Sequence, residues 1–118
     1  MINLIFGLIN FTAMIPIIED KISQLNELCK KFHVSSLFLF GSGAKNQLKT
    51  DSDLDFLISF NSDIKLLDYA DNYFDCLDSF KKLFKKDIDL VTVKSLKNPI
   101  LIQEINKTKI PVYEFESA

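Results

Sequence analysis

Apolar residues recur three or four positions apart between residues 18 and 32 as Ile18, Ile22, Leu25, Cys29 and Phe32, with Glu19, Asp20, Lys21, Gln24 and Lys31 among them. That spacing predicts an amphipathic helix of about four turns. Pro16 suits its first position, where a missing N–H costs nothing. Ser35 to Phe40 (SSLFLF) predicts a short buried strand, broken by Gly41-Ser42-Gly43, and a short helix is expected over 44–49. A second strand is predicted from Leu54 to Phe60 (LDFLISF), with Asn61, Ser62 and Asp63 as turn and cap residues. Leu66, Ala70, Tyr73, Leu77, Phe80 and Phe84 then repeat at helical spacing. Ile88 to Val93 (IDLVTV) predicts a third strand, and Asn98-Pro99 opens a helix to about Asn106 as an N-cap followed by proline at N1. Ile110 to Phe115 completes the pattern as an edge segment, since Pro111 cannot donate to an inner ladder. The order predicts a small α/β (α+β) domain with helices packed on a short sheet.

At 118 residues there is room for one such core. The composition, 47% hydrophobic and 25% charged, excludes disorder and a collagen-like repeat. A net charge of -2 argues against a protein held to nucleic acid mainly by phosphate neutralisation. All 14 basic residues are lysines. Any bound phosphate must therefore be held by lysine, backbone N–H groups or metal, and never by an arginine fork. Lys81, Lys82, Lys85 and Lys86 end the long helix whose first part carries Asp68, Asp71, Asp75 and Asp78. This polarity complements the helix dipole and reads as a solvated helix end.

Cys29 and Cys76 fall on apolar helix faces, which predicts two buried thiols in a reducing, cytoplasmic setting. His33 stands alone at a helix end, as ordinary boundary chemistry. Residues 1–18 are apolar but lack a positive n-region, and Asn3, Gly7, Asn10, Thr12 and Pro16 interrupt them, so neither a signal peptide nor a membrane span is expected. Residues 1–13 are expected to be an apolar arm or an extension upstream of a natural start at Met14, with residues 14–118 forming the single domain.

The candidate chemistry lies between Phe40 and Val93. Residues two apart on a strand share a face, which sets Asp53 and Asp55 about 6.6 Å apart along it. Carboxylates so placed raise each other's pKa unless a cation neutralises them. An all-oxygen set suits Mg²⁺ or Mn²⁺, which also accept phosphate oxygens. Asp89 is central in the third strand, where burial without a partner is expensive; on a neighbouring strand it points at the same place. Gly41-Ser42 directly after a strand lets the backbone approach an anion and presents N–H groups at a helix start, and the Ser42 hydroxyl adds a hydrogen bond. The alternative is that Asp53 and Asp55 only solubilise a strand edge and that Asp89 is a satisfied, helix-facing acid.

The segment FGSGAKNQLKTDSDLDFLI, with its Gly-Ser-x10-Asp-x-Asp pattern, resembles the nucleotidyltransferase superfamily built on the DNA polymerase β-type palm, a small mixed sheet flanked by helices. The later DIDLV strand and the SLKNPILIQEI…VYE ending make the chain similar to minimal nucleotidyltransferases, the antitoxins of HEPN–MNT toxin–antitoxin pairs. The resemblance runs from about Ile17 to Glu114. It implies that Gly41 and Ser42 hold a nucleoside triphosphate, that Asp53 and Asp55 ligate divalent metal, and that Asp89 is a third ligand or the base. Lys45 and Asn46 stand where relatives commonly carry arginine then glycine, so a phosphate contact at Lys45 loses the fork. Ile102 stands where relatives often have arginine.

The function implied is transfer of AMP from ATP, with two Mg²⁺ ions, to a tyrosine hydroxyl of a partner HEPN toxin, as a type VII-like antitoxin in a hetero-oligomer. A non-catalytic antitoxin that neutralises the ribonuclease by binding alone is the alternative. Transfer to a small molecule such as an aminoglycoside is a third reading, disfavoured because no second domain remains to shape the acceptor site. No nucleic-acid or membrane partner is expected.

Overall fold

The computed structural model describes residues 16–44 and 53–114. Helix α1 (Pro16–Lys31) leads into strand β1 (Val34–Phe40) and a single helical turn, α2 (Gly41–Ala44). Strand β2 (Leu54–Phe60), helix α3 (Leu66–Phe84) and strand β3 (Ile88–Thr92) follow, then a 3₁₀ turn (Val93–Ser95), helix α4 (Pro99–Thr108) and strand β4 (Ile110–Glu114). The sheet order is β3-β2-β1-β4. β1 runs antiparallel to both β2 and β4, while β2 and β3 are parallel and joined through α3. The expected fold class is the one observed, and β4 with its Pro111 is indeed an edge.

One face of the sheet carries the core. Leu37 and Leu39 of β1, Leu54, Phe56 and Ile58 of β2, and Ile88 and Leu90 of β3 are buried with Ile18, Leu25 and Cys29 of α1 and Cys76, Phe80 and Phe84 of α3. The alternation along β2 and β3 sends every second side chain into this cluster. Phe56 is its centre, with its ring 5.8 Å from Phe80 and 5.9 Å from Phe84. Tyr73 ties α3 to the sheet by donating its hydroxyl to the Leu90 carbonyl at 2.5 Å. Asn72 ties α3 to the end of α1 by donating to the Phe32 carbonyl at 2.8 Å.

The helix ends follow local chemistry. Asn98 caps α4, its side-chain oxygen accepting from Ile100 N–H at 2.9 Å and Leu101 N–H at 3.3 Å. Lys85 closes α3 in the left-handed region (φ 54°), donating its N–H to Lys81 at 2.8 Å, and His33 (φ 61°) turns the chain out of α1. Several details differ from expectation. The helical turn after β1 starts at Gly41 rather than Ala44, and residues 45–49 lie outside the described residues. Asn61 to Asp63 make the turn, but the N-cap of α3 is Lys65, with no side-chain cap. β3 ends at Thr92 because Val93 opens the 3₁₀ turn. Leu66 is 89% exposed although it fits the helical stripe, and Ala70 on the same stripe is exposed as well. The prediction for residues 1–13 also lies outside the described residues.

Phe80→Ala should cost about 3–5 kcal/mol of unfolding free energy, whereas Phe74→Ala, at a side chain 63% exposed, should stay within about 0.5 kcal/mol of the parent. Urea denaturation followed by circular dichroism measures both.

Candidate functional site

The antiparallel placement of β1 between β2 and β4 brings the end of β1 beside the beginnings of its neighbours. Phe40 pairs with Asp55 and Leu39 with Ile110. The parallel pairing of β2 with β3 sets Asp55 directly opposite Asp89. It starts where Leu54 N–H donates to the Asp87 carbonyl at 3.1 Å. Four strand ends therefore share one rim of the sheet.

Alternation decides which face these residues occupy. Leu54 and Phe56 enter the helix-covered core, so Asp55 between them faces the opposite side; Ile88 and Leu90 do the same for Asp89, and Leu39 for Phe40. Asp55 and Asp89 thus stand side by side, with backbones about 4.8 Å apart. Asp55 is half-buried, while Asp89 is exposed, as is Asp53, which sits one residue before β2. The placement of Asp89 excludes the reading as a helix-facing acid. It also removes the expected burial cost, because this face lies open at the rim.

The acids feel one another. Burial pushes the Asp55 carboxyl above the ordinary carboxylate range, and the charges of Asp89 and then Asp53 push it further. The Tyr73 hydroxyl is likewise raised, first by burial and then by Asp89. Gly41 supplies the remaining constraint. Its φ is +70°, and a Cβ there would run into the Asp55 carboxylate. Only glycine lets the chain turn left-handed against that side chain.

The sequence-predicted residues distribute as follows. Gly41, Asp55 and Asp89 meet at the rim, and Asp53 adjoins them closely enough to perturb Asp55. The backbone of Ser42 lies in α2, and Lys45 is outside the described residues. Among the described residues no three acidic, histidine or cysteine side chains form a ready-made metal cage. Mg²⁺, however, is typically held by one or two carboxylates together with waters and substrate phosphates. The paired carboxylates of Asp55 and Asp89, with surplus negative charge and oxygen donors alone, fit that mode.

Cys29 and Cys76 are free and buried, and burial pushes both thiols up, Cys76 to about 12, so neither is a nucleophile. Phe40 at the end of β1 and Lys109, one residue before β4, carry no signal in the sequence that marks them for the rim. The signal that finds them is the β1–β4 register, which no local pattern encodes. No described helix is long and apolar enough to cross a membrane.

The sequence profile described as polymerase beta, nucleotidyltransferase matches residues 23–117. Two proteins of Methanocaldococcus jannaschii bearing the provisional name protein adenylyltransferase are similar to the chain. One is 35% identical over 71% of this chain and 82% of its own length. Another is 31% identical over 80% and 94%. Among solved structures, one provisionally described as a minimal nucleotidyltransferase superposes with a TM-score of 0.65 at 24% identity, covering 80% of this chain and 91% of that one. A toxin–antitoxin structure with AMP-PNP gives 0.62 at 15% identity, covering 80% and 74%. A tri-AMPylated HEPN toxin of Shewanella oneidensis in complex with its MNT antitoxin gives 0.56 at 14% identity, covering 82% and 72%. These structural likenesses bear on the fold.

The raised pKa of Asp55 carries a sign. The folded protein holds this proton more tightly than the unfolded chain, so stability from this group falls as pH rises above the ordinary value of 3.8 and levels off once the carboxyl is ionised. Asp55→Asn should therefore raise Tm at pH 7, modestly because water screens the half-buried group. The gain should vanish near pH 3.5. Scanning calorimetry across pH checks it.

Proposed function

The chain belongs to the polymerase β nucleotidyltransferase family, and on that premise we propose that it transfers AMP from ATP to a tyrosine hydroxyl of a HEPN-domain toxin, as a type VII-like antitoxin. The observation that carries this reading is the lateral pair Asp55–Asp89 with Gly41 pressed against the Asp55 carboxylate. Two negative charges held side by side at an open rim are unfavourable alone and become favourable around a cation that also binds phosphate. The names of the relatives support a protein acceptor, and the AMPylated HEPN complex among the structural neighbours supports its class. The exposure of Asp53 and Asp89 leaves the rim reachable by an acceptor as large as a protein.

Gly41 and the backbone N–H of Ser42 hold the triphosphate where β1 turns into α2. Asp53 and Asp55 would hold Mg²⁺, with Asp89 as a third ligand or as the base, and the ion would polarise the phosphoryl oxygens and offset charge on the leaving group. The acceptor oxygen attacks the α-phosphorus in line as the bond from that phosphorus to the α,β-bridging oxygen breaks. Pyrophosphate leaves, and the proton of the acceptor passes to Asp89. The rate comes from positioning and charge neutralisation, with no covalent intermediate on the protein.

Neutralisation by binding alone is a second reading, favoured by exposed Leu66, Leu67 and Phe74 along the first half of α3. The two readings separate on nucleotide dependence. Asp53→Ala and Asp55→Asn should each lower transfer about 10³-fold or more while the circular dichroism spectrum is kept. Mass spectrometry of a HEPN partner incubated with ATP and Mg²⁺ reads the adenylyl mass, and EDTA should abolish it. Continued labelling by Asp53→Ala refutes the assignment. Gly41→Ala should lose transfer as fully, because its methyl displaces the Asp55 carboxylate, and unfolding should show a cost of about 1–2 kcal/mol from the left-handed backbone.

A further inference from the structure

We propose that Lys109 receives the β- and γ-phosphates of the triphosphate and the charge that builds on departing pyrophosphate. The inference rests on the nucleotidyltransferase reading and adds a residue to it.

With no arginine in the chain, a permanently charged side chain facing the phosphates, beside metal and backbone N–H groups, can only be a lysine. Lys109 caps the end of α4, donating its N–H to the Ile105 carbonyl at 2.8 Å, and its own backbone is extended (φ -63°, ψ 144°). Strand alternation therefore already applies at this position. Ile110 pairs with Leu39 and packs on the core, so Lys109 faces the opposite side. That is the side of Phe40, Asp55 and Asp89. The ammonium lies 4.4 Å from the centre of the Phe38 ring, and Phe38 shares that side with Phe40.

Phe40, Asp55 and Asp89 form a row across three strands, and Lys109, one residue before β4, lies on the same side of the sheet beyond Phe40. Two strand spacings, about 10 Å, separate the backbones of Lys109 and Asp55. The uncharged Phe40 fills the gap, and the lysine rests on an aromatic face instead of neutralising the acids. A cation–π contact near the surface is weak enough to be exchanged for a phosphate. This side of the rim is thus charged oppositely at its two ends. Its acidic end suits the metal-bound part of a triphosphate and its basic end suits the phosphates beyond. Lys82, by contrast, is paired with Asp78 at 3.0 Å along α3. Because negative charge grows on pyrophosphate as it departs, the contact strengthens toward the transition state and acts on kcat as well as on binding.

The test compares the parent with Lys109→Met, Lys109→Arg and Phe38→Leu. Calorimetric titration uses ATP with Mg²⁺, pyrophosphate with Mg²⁺, and AMP, and transfer kinetics are run in parallel. Lys109→Met should weaken ATP and pyrophosphate uptake tenfold or more, leave AMP within twofold, and lower kcat. Lys109→Arg should retain most of the affinity, and Phe38→Leu should shift thermal unfolding with ATP affinity nearly unchanged. Lys109→Met that binds ATP like the parent, that loses AMP as severely as ATP, or that Lys109→Arg merely duplicates, overturns the proposal. A parent protein that takes up no triphosphate overturns the nucleotidyltransferase reading as well, so the two failures are distinct.

Discussion

The parallel pairing of β2 with β3 puts two carboxylates next to each other, and much of the molecule answers to that arrangement. Asp55 opposite Asp89 is a repulsive contact, tolerated because strong apolar packing underlies it. On the far side of the same two strands Leu54, Phe56, Ile58, Ile88 and Leu90 are locked against Phe80 and Phe84. The strands cannot slip to relieve the repulsion without exposing that layer, since a shift of one residue would turn every side chain to the opposite face. Hydrophobic register on one side of the sheet thereby holds an electrostatic strain on the other.

The helices serve this division of faces. α1 and α3 cover one side, and Tyr73 fastens α3 to the β3 backbone beside Asp89. The opposite side at the rim is left to charged and half-buried residues: Asp55, Asp89, Phe40 and Lys109. Gly41 joins the two requirements. It ends a core strand, and its lack of a side chain admits the Asp55 carboxylate to the place where the chain turns. The paired acids rest on a rigid scaffold because they sit on strands rather than on loops.

Periodicity revealed the elements well because each has a clear apolar rhythm: β2 and α3 have the expected bounds, and Asn98-Pro99 opens α4 as its chemistry requires. Local pattern misleads where tertiary contact overrides it. Leu66 keeps the helical spacing yet is exposed, and Asp63 stands too early to cap a helix whose first turn forms later. The acids Asp53 and Asp55 and the Gly41-Ser42 turn were visible as types and spacings, and Asp89 as an acid in an apolar strand. That Asp89 is exposed rather than buried followed only from the face it occupies.

The sequence alone determined the local facts: which segments are helices and strands, which faces are apolar, where the chain must turn, and that arginine is unavailable for phosphate. These depend on neighbours a few residues away, and so they are written in short-range order. The tertiary structure decided which strands adjoin and in what register, and hence that Asp55 meets Asp89, that Gly41 lies against Asp55, and that Lys109 lies on the same side of the sheet. Those relations bring together residues dozens of positions apart, and side-chain packing over the whole sheet selects them, so no short stretch of the chain contains them.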